Sequence, residues 1–317
     1  MKKLVSLVLA LMLCLSCVSA LAAEAWTVTC PWAPSGVAAM VNQKAASLST
    51  TYSQDYVLVA NAEKGDTATI NSWLTKYTEA DPQMCFIGEG MFGITAILDP
   101  ERMNFTYDDF EYVENLYSSI FVASARKELG ITSIDALKAY LEEGNQIMVG
   151  TNGATGSEAF LAAALIGAMG YGDQFYLIPY ESAAEAAQAV ARGEVDIAVS
   201  HQSQILETWQ QGGVDVFAAF DGEPIAQGPF KGVEGVGQYG YPYFRNRCFI
   251  FAKAGADAQK IADLKALYAQ ILTDEEMVDW LNNTMLLEAD MMTEEEVIAH
   301  IDNVKNIVEE YYDLVAE

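Results

Sequence analysis

The sequence predicts an α/β fold of two lobes, each a mainly parallel sheet flanked by helices, joined by a hinge. Three observations predict it. Short apolar runs of strand length alternate with helical stretches along the chain after residue 22. Two extended segments stand where the chain would cross from one group of strands to the other and back. Glycine-bearing loops recur between a strand and the helix after it, the position where open parallel sheets hold ligands.

The order of elements follows from the pattern. Lys2 and Lys3 precede an apolar run over 4–15, and Ala20-Leu21-Ala22 follows it. A basic head, a short apolar stretch and an A-x-A site describe a secretory leader cut after Ala22. The run is shorter than the roughly 20 residues a membrane-spanning helix needs. Cys17 offers a lipid-attachment alternative, which the preceding Cys14-Leu15-Ser16 fits poorly. Export to the periplasm or cell surface is the expectation.

Residues 26–30 read as the first strand and 35–49 as a helix; 56–60 is a strand, 67–77 a helix and 84–87 a buried strand. Residues 134–142 read as a helix and 146–149 as a strand. Thr155 and Glu158 then have the T-x-x-E spacing of a capping box, as do Ser182 with Glu185 and Thr293 with Glu296. Residues 195–199 and 214–220 are apolar strands, and the tail is helical over 257–272, 274–282 and after Thr293. Residues 23–115 with 222–317 are expected to form lobe 1 and 116–221 lobe 2. The hinge falls near 112–124 and 214–221, with the C-terminal helices packed on lobe 1.

Composition excludes several function classes. The formal charge is −27, and removal of the leader takes two lysines, leaving 15 basic against 44 acidic residues. That field repels nucleic acid and anionic lipid surfaces. Cys30, Cys85 and Cys248 remain, too scattered for a disulfide framework or a CxxC metal pair; whether they pair is not fixed by the sequence. His201 and His300 are the only histidines and lack zinc-ligand spacing, so neither metal nor cofactor is expected. No G-x-S-x-G elbow, Walker loop or dinucleotide fingerprint occurs.

The candidate ligand residues come from loops at strand ends. Ser35 and Gly36 follow the first strand; Glu89, Gly90 and Met91 follow the third. Thr151, Asn152, Gly153 and Thr155 lead into a helix whose free N–H groups suit an anion. Ser200, His201 and Gln202 end the strand over 195–199. Arg247, or its neighbour Arg245, carries a planar fork suited to a carboxylate.

Four stretches carry a family resemblance: VTCPWAPSG, IMVGTNGATGSEAFLAAALIGAMG, IPYESAAEAAQAVARGEVDIAV and FIFAKAGADAQKIADLKALYAQIL. In order and spacing, over nearly the whole mature length, the chain resembles the substrate receptors of tripartite tricarboxylate transporters. The resemblance implies a Venus-flytrap (periplasmic-binding-protein) fold, capture of a small organic acid, either a carboxylate or amino-acid-like, and delivery to membrane permease subunits; a monomer is expected. The chain departs from that family at cleft positions. Pro34-Ser35-Gly36-Val37-Ala38 replaces a proline, double glycine and aspartate; Ser200 stands for an acid; Ala159 stands for a histidine. A ligand outside the common dicarboxylates is therefore expected, and Glu89 favours a monoacid or a zwitterion whose ammonium meets it. The readings from other classes are an exported enzyme acting on a small acid and a ligand-sensing receptor domain.

Overall fold

The computed structural model describes residues 23–154 and 156–315. The leader, the Ala22 cleavage site, Cys17 and Thr155 lie outside the described residues. Among those described, no helix is long and apolar enough to cross a membrane.

The strands form two sheets. Strands β1 (Glu24–Cys30), β2 (Tyr56–Ala62), β3 (Gln83–Gly88), β4 (Phe110–Ser119), β10 (Asn246–Lys253) and β11 (Glu288–Ala289) make the first, in the order β11-β4-β10-β3-β1-β2. Strands β5 (Phe121–Arg126), β6 (Ile147–Asn152), β7 (Phe175–Tyr180), β8 (Ile197–His201) and β9 (Val214–Ala219) make the second, in the order β7-β6-β8-β5-β9. The expectation of mainly parallel sheets needs correction, because both are mixed. β1 is parallel to β2 and β3, and β6 to β7 and β8, whereas β4, β5, β9, β10 and β11 pair antiparallel. β10, with β11, runs against the rest of the first sheet and β5 against the rest of the second, because β5 and β10 are the strands on which a crossing brings the chain into a sheet from the opposite end.

Central strands are buried on both faces, and their alternating side chains feed different cores. Met84 and Phe86 of β3, with Ile250 of β10, join one core. It is closed by helices α1 (Val37–Tyr52), with Val41 and Ala45, and α7 (Ala258–Leu272), with Leu264 and Tyr268. Cys85, Ile87, Phe249 and Phe251 face the other way, onto Ile70 and Trp73 of α2 (Thr67–Lys76). In the second sheet, Phe121, Ala123, Val149 and Val199 pack under α3 (Ile134–Glu142) and α4 (Ser157–Ala168). Val122 and Ala198 pack under α5 (Ala183–Ala191) and α6 (Gln202–Gln210). Each fully buried Phe, Leu or Ile contributes about 1.5–3 kcal/mol.

Two expectations about the crossings are revised. The first crossing is not one long strand; the chain leaves the first sheet at Ser119 and enters the second at Phe121. The return comes later than residue 222. Ile225 and Phe230 are buried in the α5–α6 core, Val236 and Phe244 in the α4 core, and the chain rejoins the first sheet only at Asn246. Asn246 pairs in register with Ser119, so the two crossings lie side by side.

The last long helix also departs from expectation. α8 (Glu275–Asp279) stays with the first sheet, as Met277 shows, but α9 (Glu294–Glu310) serves both. Val297 and Ile301 are buried against α2 and β10, while Val304 and Val308 enter the core of the second sheet. The reason lies in α4, which is buried from Ser157 to Gly167 and so needs cover on every side.

Candidate functional site

A cavity of about 450 Å³ lies where loops of both sheets meet. Helix starts dominate its wall. Gly36, Val37 and Ala38 bring in the first turn of α1; Asp66 precedes α2; Gly156, Ser157 and Glu158 open α4; Ser182 and Ala183 open α5; His201 and Gln204 open α6. The N-cap residues Gly36 and Gly156 have no side chain to cap with, so among the described residues the N-caps leave backbone N–H groups of α1 and α4 open.

The α4 start differs from the sequence expectation. The N-cap is Gly156, not Thr155, so the expected T-x-x-E box is not its cap. Glu158 instead lies in the first helical turn, 6 % exposed. The other two boxes differ in degree. Thr293 and Glu296 form theirs in full, whereas Ser182 accepts from the Glu185 amide while the Glu185 carboxylate accepts from the Glu181 amide.

Glu89 is fully buried at the end of β3. Ser157 Oγ donates to its Oε1 at 3.1 Å, Asn246 Nδ2 at 2.9 Å, and the Arg247 amide to its Oε2 at 2.8 Å. Burial raises its pKa from the ordinary value, and those hydrogen bonds act against the rise. Burial also drives Glu158 up to about 7, with the Glu89 charge adding to the rise and the Asn152 side chain opposing it. Asp66 is raised by burial, opposed by Arg102, whose guanidinium lies 3.5 Å away. Its backbone sits at φ 50°, ψ −128°, a strained conformation for a residue with a Cβ. Beyond Gly90 the chain makes a π-helical turn, Met91–Thr95, a distortion common at functional sites.

His201 Nδ1 is 2.8 Å from Ser119 Oγ, and burial lowers its pKa to about 3. It is therefore a neutral imidazole at pH 7 and adds no positive charge. At the rim, Lys64 of the loop after β2 pairs with Glu181 of the loop after β7, joining the two sides of the mouth. Tyr117, Phe121, Asn246 and Cys248 line the cavity at the crossings.

Of the residues expected at the site, Gly36, Glu89, Gly90, Met91, Asn152, Gly153 and His201 line the cavity. The others do not. Ser35 is exposed on the turn before α1. Thr151 is buried and its hydroxyl donates to the Gly153 carbonyl at 2.8 Å. Ser200 is fully buried and Gln202 is tucked into α6. Arg247 turns away, pairing with Asp290 at 2.7 Å, with its NH1 3.1 Å from His300 Nδ1. Strand alternation places it opposite Asn246 and Cys248. Arg245 pairs with Asp221 and Glu288. The three cysteines among the described residues are free and buried, which pushes Cys30 up to about 12 and Cys85 and Cys248 well above the ordinary thiol.

Sequence reading missed Trp32, Lys64, Asp66, Tyr180, Asn246 and Arg102, all of which line the cavity. Glu63-Lys64-Gly65-Asp66 and Tyr180-Glu181-Ser182 follow parallel strands and precede helices, so the rule that found the other loops also covers them. Arg102 comes from an irregular segment that no pattern marks.

Several solved structures share this architecture. A Rhodopseudomonas palustris protein, Rpa4515 with adipate, superposes with a TM-score of 0.80 at 15 % identity, covering 92 % of this chain and 96 % of that one. MatC from Rhodopseudomonas palustris with bound malate gives 0.76 at 17 % identity, with 92 % and 98 % covered. The periplasmic binding protein BugD gives 0.78 at 16 % identity, again with 92 % and 98 % covered. No curated protein matches the chain by sequence. At these identities the structures establish the two-lobed periplasmic-binding-protein fold. The sequence profile described as the tripartite tricarboxylate transporter family receptor (TctC) matches residues 54–306, and the chain belongs to that family.

Proposed function

We propose that the chain is exported and captures a small organic acid in the cavity between its sheets, handing it to the membrane subunits of a tripartite tricarboxylate-type transporter. One observation carries this reading: helix starts from both sheets, two of them with glycine at the N-cap, converge on one cavity. Such ends present partial positive charge, worth about 0.3–1 kcal/mol each toward a carboxylate and more where partly buried. Gly153, Gly156 and the Gly36 turn receive the carboxylate, and His201 and Gln204 read the remainder of the solute. Side-by-side crossings at Ser119–Phe121 and Phe244–Asn246 act as the hinge, with closure completed by the Lys64–Glu181 pair.

The adipate and malate of the structural relatives support an organic acid as the class. The test is calorimetric titration of secreted protein with a panel of small acids, followed by small-angle scattering. Reversible binding with a more compact particle is expected. A chemically altered solute after incubation would move the case to an exported enzyme, and failure of every acid to bind would end the receptor reading. Sequencing the secreted protein should find a mature N-terminus near Ala23; a lipidated Cys17 or an intact Met1 would overturn that part.

A further inference from the structure

The charges inside the cavity are arranged for more than a carboxylate. Its basic residues stand at the rim, and both are engaged with acids: Lys64 with Glu181, and Arg102 with Asp66 and Asp99. The interior holds Glu89 and Glu158, one from each sheet, with Ser157 hydrogen-bonded to the first and adjacent in sequence to the second. Among the described residues neither carboxylate has a lysine or arginine in ion-pair range. Arg247 lends Glu89 only its amide, and its guanidinium goes to Asp290.

An independent observation sits beside them. Asn246 is 7 % exposed and lines the same cavity. Its amide nitrogen donates to Glu89, while its Oδ1 has no hydrogen-bond partner. A buried acceptor left unmatched calls for a donor. An ammonium carries three donors and no acceptor, whereas an ionised carboxylate carries acceptors only and would meet Asn246 Oδ1, Glu89 and Glu158 with like polarity. A bare metal ion is the poorer fit, since no group of three acidic, histidine or cysteine side chains among the described residues is arranged to hold one.

We propose that the solute carries a protonated amine or an equivalent cationic nitrogen beside its carboxylate, and that Glu89, Glu158 and Asn246 are the specificity residues for that cation. The carboxylate then lies toward the starts of α1 and α4, and the ligand is a zwitterion spanning the cavity. This rests on the receptor reading above.

The test is a thermal-shift and calorimetry panel of matched pairs that differ by the nitrogen alone: 5-aminopentanoate with pentanoate, glutamate with glutarate, proline with cyclopentanecarboxylate. The amino member of the binding pair should bind at least tenfold tighter. Proton exchange gives a second readout, measured at pH 7 in buffers of different ionisation enthalpy. A cation beside Glu158, which titrates near 7, lowers its pKa, so binding releases a proton and tightens as pH rises. An anion there would take a proton up. Glu158→Gln, checked for folding by circular dichroism, should abolish the release, and Glu89→Gln should erase the preference for the amino member. Equal or tighter binding of plain acids, or proton uptake, overturns this proposal while leaving the receptor standing. A panel in which neither member of any pair binds removes both.

Discussion

Ser157 Oγ donates to Glu89 Oε1 at 3.1 Å, and the two residues belong to opposite sides of the cleft. Glu89 directly follows β3 of the first sheet, and Ser157 begins α4 over the second. The chain approaches closely here, since a Cβ added to Gly90 would stand 2.8 Å from the same Ser157 oxygen. One hydroxyl therefore ties the two halves at the cavity wall. Hydrogen bonds to charged groups contribute about 1.5–3 kcal/mol. Ser157→Ala should weaken solute binding by about tenfold or more with the fold intact, measured by titration calorimetry and circular dichroism. Unchanged affinity would mean that this contact does not bear on closure.

Gly153 has φ 75° and lines the cavity, while Gly144 has φ 83° on an exposed turn. Replacing either with aspartate forces a side chain into left-handed backbone, at about 1 kcal/mol in each case. The pair is a matched control for strain. Gly153→Asp should abolish binding of an organic acid, and Gly144→Asp should lower the melting temperature similarly but leave binding alone. Binding that survives in a folded Gly153→Asp protein would make this loop only a turn.

Glu158 makes stability depend on pH in a stated direction. Its carboxyl is held up to about 7 in the folded chain against 4.5 ordinarily, so the folded state retains a proton that the unfolded state releases. The stabilisation is complete below about pH 4.5 and is lost as pH rises through 7. The difference is of order 3 kcal/mol. Urea unfolding from pH 5 to 8 without solute should show this decline, and Glu158→Gln should flatten it. A variant with the same slope as the parent would place the titration elsewhere.

Gly93 sits against α9. A Cβ there would stand 2.5 Å from Val304 Cγ1, too close without movement. Gly93→Ala should cost about 1–3 kcal/mol by overpacking. Val304→Ala vacates that space, so the double variant should be more stable than the two losses predict when added. Thermal unfolding of the four proteins settles it; strict additivity would show that the two positions do not touch in solution.

The strands and helices were legible because buried runs and caps are local signals. Strand direction was not: β3 and β10 are apolar on both faces, and such runs read alike whether parallel or antiparallel. The segment from Gly222, crowded with glycines, prolines and tyrosines, reads as the start of lobe 1 because it follows the last strand of the second sheet. Its buried Ile225, Phe230, Val236 and Phe244 are spaced irregularly, so their membership in the second core left no periodic trace. The site was legible where loops follow parallel strands, as at Glu89, Asn152 and Gly153. Arg247 was misplaced and Asn246 overlooked for a single reason. Neighbours on one strand face opposite ways, and the sequence does not say which face of β10 meets the cavity.

The seating of α9 changes how the protein can move. At 17 residues it is a rod of about 25 Å, with Val297 and Ile301 anchored in one core and Val304 and Val308 in the other. Two adjacent strands alone would let the halves swing freely, but a rod fixed at both ends resists. Opening must bend it or pull one end out of its socket. The balance between open and closed forms is then weighted by apolar side chains that the solute never touches. A change at Val308 would retune apparent affinity through that balance, leaving every contact in the cavity as it was.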